Sequence, residues 1–371
     1  MSRIVLDHVT KRFGNTVAVD NLSLEIDSGS FFSLLGPSGC GKTTTMRLIA
    51  GLETADEGRI WIGEQLVFDS TDHANVAPGG RGIGMVFQNY ALWPHMTVKE
   101  NVLFGLKVRR IKDREQAQRL ERVLKRLQIA ELIDRYPSEL SGGQQQRIAL
   151  ARELVTGARV LLMDEPLSNL DAKLRIDMRV ELKELHEETG GTIIYVTHDQ
   201  IEALTLSTRM ALMKSGLMQQ NDTPDRVFAY PQNLFVAQFM GQDPINLIEA
   251  QVSGKKLSLA GFELPRPDRL DKLADGDRLY LAARPEELAL TVDKQPWSVP
   301  AVVDSVLTMG YSALVRLRVS PDATSALETG IPLTVAADER HRKFKKGDSC
   351  RVVFDRDSIH LFDIETEQRF S

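Results

Sequence analysis

Cysteine is scarce: Cys40 and Cys350 are the only two in 371 residues. Lying far apart, they supply neither a disulfide framework nor a spaced zinc set, and a reducing cytosol is the expected compartment. Long apolar runs are also missing. No stretch reaches the roughly 18 consecutive apolar residues that cross a bilayer, so a membrane role has to work through a partner. The N-terminal MSRIVLDHVTKRFG carries Arg3, Asp7, Lys11 and Arg12, which interrupt a signal-peptide core before it forms, and secretion is not expected. Neither sign of charge dominates. With 46 basic and 51 acidic residues the net charge is -5, and no lysine/arginine block stands apart, which argues against nucleic acid as a partner. No low-complexity tract or repeat of roughly 20 to 50 residues stands out, which argues against a solenoid.

What is present is ordinary globular material, 42% apolar and 26% charged, enough to build cores. The length is about two and a half times the roughly 150-residue domain scale, so two domains are expected. Up to about residue 240, short apolar runs alternate with amphipathic patterns. This predicts an α/β fold, a parallel sheet with helices on its faces. SFFSLLG, RVLLMDE and TIIYVTH read as buried strands. Leu120, Val123, Leu124 and Leu127 form one helical stripe, and Leu174, Met178, Leu182 and Leu185 another. Thr97 and Glu100 have capping-box spacing, so a helix should start after Pro94-His95-Met96. Around Gly241-Gln-Asp-Pro244 the texture changes to NLIEAQV, KLSLAG, RLYLAARP, ALVRLRV and CRVVFD between glycine, proline and charged turns. That pattern predicts a small all-β barrel domain.

The chemistry-bearing motifs lie in the first part. Gly36-Pro37-Ser38-Gly39-Cys40-Gly41-Lys42-Thr43 fits the phosphate loop G-x-x-x-x-G-K-[ST] in its strand-loop-helix setting. Its glycines let backbone N–H groups converge on phosphate oxygens, Lys42 would neutralise the β- and γ-phosphates, and Thr43 would ligate Mg2+. Cys40 falls at a variable position of the motif. Val160-Leu-Leu-Met-Asp164-Glu165 ends an apolar run in two carboxylates, an arrangement that asks for a cation or hydrogen bonds. Asp164 is read as the metal ligand and Glu165 as the group that polarises the attacking water; standing alone, the pair would also suit a turn or an N-cap. His198 closes TIIYVTH at the same sheet edge, where ligands of open α/β sheets bind, and taken by itself suits a structural hydrogen bonder equally. Asp199 suits a cap for the helix IEALTLS. Gln88 follows a further strand-like run and by default would be a turn amide.

A second glycine loop, Leu140-Ser141-Gly142-Gly143-Gln144, opens a helix and so offers another phosphate-binding N-terminus, or simply a capped helix. One nucleotide cannot need both loops. A two-fold dimer in which each phosphate loop faces the other copy's Ser-Gly-Gly loop solves this. With these motifs in order over about 230 residues, the chain resembles the ATP-binding cassette family, the nucleotide-binding subunits of ABC transporters. The matching positions are Phe13, residues 36 to 43, Gln88, LSGGQ at 140 to 144, residues 160 to 165, Ser168-Asn-Leu-Asp171 and His198.

The resemblance implies a P-loop cassette at 1–240, with a helical subdomain at about 90–155 and an antiparallel β subdomain, then a β-rich OB-fold or TOBE-type regulatory domain at 241–371. It implies ATP and Mg2+ as ligands, adenine stacking on Phe13, nucleotide contacts from residues 36 to 43 and Thr44, and Thr43, Gln88 and Asp164 around the metal. It further implies γ-phosphate contacts from the partner's Ser141, Gly143 and Gln144 with Gly142 and Asp171 nearby, Arg135 near the ribose, Glu165 as catalytic base and His198 as phosphate sensor.

Within that family the chain is similar to the ATPases of maltose-type sugar importers, on GMVFQNYALWPHMTVKENVLFGLK, YVTHDQIEALTL, AARPEEL and MGYSALVRLRV. This implies a homodimer on the cytoplasmic face of the membrane, two permease subunits, an external solute-binding protein and a regulatory protein at the C-terminal domain. The WIGEQLVFDSTDHANVAPGGRG stretch is longer and more polar than the family pattern, and LWPHM also occurs in iron- and polyamine-type relatives. Tyr90 to His95 is expected to face the permease, with burial of Trp93 in the chain's own core as the competing reading. A soluble ABC-type ATPase on ribosomes or DNA would carry two cassettes or a long coiled-coil insertion; a P-loop kinase would leave LSGGQ without use.

Overall fold

The structure, a computed structural model, describes residues 2–259, 261–309, 312–320, 330–337 and 344–370. Gly310 and Tyr311 of the MGYSALVRLRV stretch lie outside the described residues. Two compact units part at Pro224 and Asp225.

The first unit contains β1 (Ile4–Phe13), β2 (Thr16–Ile26), β3 (Phe31–Leu35), α1 (Lys42–Ala50), β4 (Glu57–Ile62), β5 (Gln65–Asp69), β6 (Ala74–Asn75) and β7 (Ile83–Val86). It continues with α2 (Val98–Val108), α3 (Asp113–Arg126), α4 (Gly142–Leu154), β8 (Val160–Asp164), α5 (Ala172–Thr189), β9 (Thr192–Thr197), α6 (Gln200–Leu206), β10 (Arg209–Lys214) and β11 (Leu217–Asp222). One sheet runs β11-β10-β3-β9-β8-β7. All its neighbours are parallel except β10 and β11. Every residue of β3, β8 and β9 is buried, because both faces of a parallel sheet are covered; hence the unbroken apolar runs in sequence. The register sets Leu35 beside Thr197, Asp164 beside Val196, and Val86 beside Met163. The carboxyl ends of β3, β9, β8 and β7 therefore share one edge.

A single parallel sheet is not the whole of this unit. β2, β1, β4, β5 and β6 form a second sheet, antiparallel throughout, as the implied β subdomain requires. The long polar stretch before Gln88 is its outer edge. Arg81 makes that segment stable: although 3% exposed, its guanidinium donates to the carbonyls of Leu48, Ile49 and Val76 and to Asn75 Oδ1, so the buried charge is hydrogen-bonded.

Between β7 and β8 the chain is helical. The α3 stripe Leu120, Val123 and Leu124 is buried with Val102 and Leu106 of α2 and Ile148 and Leu150 of α4. The box at α2 forms as the spacing predicts: Glu100 N donates to Thr97 Oγ1, and Thr97 N to Glu100 Oε2.

The second unit opens with α7 (Pro224–Ala229) and α8 (Leu234–Phe239), then, among the described residues, ten strands: β12 (Asn246–Ser253), β13 (Lys256–Leu259), β14 (Phe262–Pro265), β15 (Arg278–Ala283), β16 (Leu288–Thr291), β17 (Ser298–Met309), β18 (Ser312–Val319), β19 (Ile331–Ala337), β20 (Ser349–Phe354) and β21 (His360–Asp363). They make two antiparallel sheets, β14-β13-β12-β15-β21 and β16-β20-β17-β18-β19. Alternating burial along β12 and β18 gives each sheet one apolar face, and Val252, Leu281, Val315 and Val352 join a common core. The texture change at Gly241 falls later than the division between units, because Leu234 and Ala237 of α8 pack with Ala282 and Phe362 of the strands. Among the described residues, no helix is long and apolar enough to cross a membrane.

Candidate nucleotide site

The carboxyl edge of the parallel sheet collects four chain segments. After β3 the phosphate loop turns into α1 through Gly36 at φ +150°, Gly39 at +78° and Gly41 at +106°. A Cβ at Gly36 would lie 2.3 Å from the Met213 carbonyl oxygen, and one at Gly41 2.3 Å from that of Ala18. Backbone on both sides forbids a side chain, so glycine is required for steric as well as torsional reasons. Lys42 is buried, and its ammonium donates to the carbonyls of Gly36 (2.7 Å) and Pro37 (2.9 Å). Cys40 points inward, its Sγ 3.7 Å from Lys42 Nζ, and burial pushes the thiol pKa up; Pro37, Ser38 and Gly39 form the outer lip. Thr44 is half-buried in the first turn of α1.

Asp164 closes β8 and is buried, and desolvation raises its pKa while the Thr43 hydroxyl opposes the shift. Thr43 Oγ1 donates to Asp164 Oδ1 at 3.1 Å. Two hard oxygen donors this close fit Mg2+, which keeps most of its ligands as water and phosphate oxygen. Glu165 follows in the left-handed region, φ +44°, a strained backbone for a non-glycine residue. Its N–H donates to Val196 O and its carbonyl accepts from Ser168 Oγ. This posture brings Glu165 Oε2 to 3.2 Å from His198 Nδ1. Gln88 arrives from β7: Nε2 donates to Ser168 Oγ at 3.3 Å, and its carbonyl accepts from Asn169 Nδ2 at 2.9 Å. Asp171 caps α5, accepting from Leu174 N.

Glu202 is a residue the sequence reading passed over as part of a capped helix. Buried at the start of α6, its carboxylate accepts from Tyr195 Oη (2.9 Å) and Thr197 Oγ1 (2.7 Å), and Thr197 Oγ1 in turn accepts from Asp199 N. That chain of bonds brackets His198 from both sides. The available signal was an acid four positions after the histidine, facing back toward a Tyr/Thr strand end.

Other expected residues sit farther out on the surface. Phe13, half-exposed at the end of β1, has Lys11 Nζ 4.9 Å from its ring centre. Arg135 is exposed in the turn whose carbonyl receives Val98 N. Ser141 caps α4: its Oγ accepts from Gln144 N while Gln144 Oε1 accepts from Ser141 N. Gly142 and Gly143 are helical, and Cβ atoms there would meet only the Leu170 and Leu174 side chains, at 3.1 and 2.8 Å. The expected exposed patch from Tyr90 to His95 needs correcting at its first member. Tyr90 is 4% exposed in the core, because Arg152 draws the carbonyls of Tyr90 and Ala91 inward. Trp93 is half-buried, its ring 4.2 Å from that of Phe104.

The chain matches the family model "ABC transporter" over residues 19–168 and "TOBE domain" over 281–362. It is 44% identical to the trehalose/maltose import ATP-binding protein MalK of Thermococcus litoralis, over 99% of each chain. The chain belongs to the ATP-binding proteins of ABC transporters. Its activity is ATP hydrolysis. This ABC ATPase is also 44% identical to the xylose/arabinose import ATP-binding protein XacJ of Haloferax volcanii, over 99% of this chain and 95% of that one. It is 45% identical to the Fe(3+) ions import ATP-binding protein FbpC of Fusobacterium nucleatum, over 83% of this chain and 81% of the relative. A dimeric ATP-binding cassette in a post-hydrolysis state with ADP and Pi superposes with a TM-score of 0.52 at 33% identity, covering 60% of this chain and 98% of that one. A P-loop cassette followed by an all-β TOBE domain is thus the fold that the motifs implied.

Proposed function

We propose that this ATPase drives import of a sugar, oligosaccharide or polyol through two separate permease subunits, from the cytoplasmic face of the membrane. The observation that carries the solute class is end-to-end similarity to sugar-import ATPases, through both the cassette and the TOBE unit. The iron-import relative, matched over 83% of the chain, favours a second reading in which the same motor serves another small solute.

In this reading Lys42 leaves its own loop carbonyls for the β- and γ-phosphates, and the loop N–H groups from Gly39 to Thr44 complete the cradle at the α1 N-terminus. Thr43, Asp164 and Gln88 would hold Mg2+, which supplies charge neutralisation at the phosphates. Glu165 takes the proton of the attacking water. His198, 3.2 Å from that carboxylate, donates to the γ-phosphate and keeps Glu165 oriented. Phe13 stacks on adenine. Ser141, Gly142, Gly143 and Gln144 act on the nucleotide of a second copy, with Arg135 and Asp171 beside them. Binding of ATP is then favoured in the closed pair, and hydrolysis removes the contacts that hold it shut. Leu92, Trp93, Pro94 and His95, next to Gln88, carry this motion to the permease, and the C-terminal unit receives a regulatory protein.

The test is to purify the ATPase with its permeases and add candidate solute-binding proteins. Stimulation by a sugar- or polyol-loaded protein supports the proposal; stimulation by iron or polyamine carriers alone replaces the solute class.

A further inference from the structure

A cleft of about 1020 Å³ in the first unit lies away from the nucleotide site. One wall is α3; the other is the turn before β8 and the turn before β9. Those turns feed the amino ends of parallel strands, so the cleft lies at the edge opposite the phosphate loop, about 20 Å away along a six-residue strand. Its lining includes Lys112, Arg114, Arg119, Arg122, Arg126 and Arg159, against a single lining acid, Glu115. In a chain of net charge -5 this is a local reversal of sign.

Part of that charge is already used. Arg119 pairs with Glu115 and donates to Val155 O, and Arg126 pairs with Glu188. Lys112, Arg114, Arg122 and Arg159 form no ion pair among the described residues. Four like charges held around one concavity repel one another, an arrangement relieved by an anion. Arg114 and Arg122 are eight residues apart on α3, about 12 Å of helix rise, too far for one phosphate but within reach of two or three linked ones given the length of arginine side chains. Guanidinium groups suit phosphate oxygens through paired N–H donors.

We propose that this cleft binds a multivalent phosphate-bearing anion, separately from the ATP site. The same chemistry is offered by a free polyphosphate and by adjacent anionic lipid headgroups, and the test separates them. The full chain, kept saturated with a non-hydrolysable ATP analogue so that the phosphate loop is occupied, is titrated calorimetrically with inorganic tripolyphosphate. It is also floated with vesicles of phosphatidylcholine, with and without phosphatidylglycerol.

The proposal expects one tripolyphosphate per chain, unaffected by more analogue, weakened about tenfold or more in Arg114→Glu/Arg122→Glu and retained in Arg114→Lys/Arg122→Lys. Alternatively it expects flotation only with anionic vesicles, lost in the same double variant; that result assigns the headgroup source. Basal ATP hydrolysis should be unchanged in both variants, which shows them folded. Binding of neither probe, or equal binding by wild type and the charge-reversed variant, overturns it.

Discussion

The two glycine loops of the cassette look alike in sequence and differ in physics. In the phosphate loop each inward glycine is imposed by backbone: Gly36 and Gly41 have positive φ and carbonyl oxygens 2.3 Å from where a Cβ would stand. In the Ser141–Gln144 loop the glycines are helical, and what crowds them is the movable ends of two leucines. The first loop is a self-contained cradle whose lysine already rests on its own carbonyls. The second satisfies its N-cap donors internally, so it is a finished helix start whose remaining N–H groups can serve another molecule. Similar composition thus builds a backbone-locked cradle in one loop and a capped helix start in the other, which under the proposed function would serve the nucleotide of a second copy.

The sharpest way to break this contrast begins at the chemical step. Glu165→Gln should lower steady-state ATP turnover by roughly 10²- to 10⁴-fold, the usual contribution of a general base, while ATP binding persists in equilibrium dialysis; ordinary turnover would remove Glu165 from that role. Next in size is Gly41→Ala, which should weaken ATP binding roughly 100-fold, equivalent to about 3 kcal/mol of backbone strain. By contrast Gly143→Ala should leave ATP affinity of the single chain intact, since only Leu174 must shift. Smaller again is Ser141→Ala, expected to cost about 1 kcal/mol of stability through the lost cap, read by chemical denaturation.

A last prediction concerns Asp164. Burial raises its pKa, so the folded chain binds this proton more tightly than the unfolded chain does. The destabilisation is absent below the ordinary carboxylate range and complete once pH passes the raised value. Asp164→Asn should therefore raise the melting temperature of the nucleotide-free protein by a few degrees at neutral pH, and the gain should vanish in acid.

How much of this was legible follows the same division. Buried strands β3, β8 and β9 announce themselves as apolar runs, and the edge they share gathers Lys42, Asp164, Glu165 and His198 from the sequence pattern alone. Caps such as Thr97 and Asp199 are readable because side chain and backbone donor are only two or three residues apart. Long-range satisfaction is not. That Tyr90 turns inward depends on Arg152, 62 residues later, and the role of Arg81 depends on carbonyls 32 and 33 residues earlier. Glu202 escaped because its partners on β9 are seen only when helix and strand are placed together. The helices α7 and α8 join the second unit through long-range contacts, Arg284 to the Phe228 carbonyl and Leu234 and Ala237 to Ala282 and Phe362, that no local pattern declares.

The composite site can be tested directly by trapping ATP in mixed pairs. In a Glu165→Gln background, a Lys42→Ala chain and a Ser141→Arg chain are mixed, incubated with labelled ATP and passed rapidly through a desalting column. If each nucleotide is held by one copy's phosphate loop and the other's Ser141–Gln144 loop, neither variant alone retains ATP, and the mixture retains one per mixed pair. If the mixture retains nothing while the Glu165→Gln parent does, the two loops do not act across copies and the contrast between them is wrong.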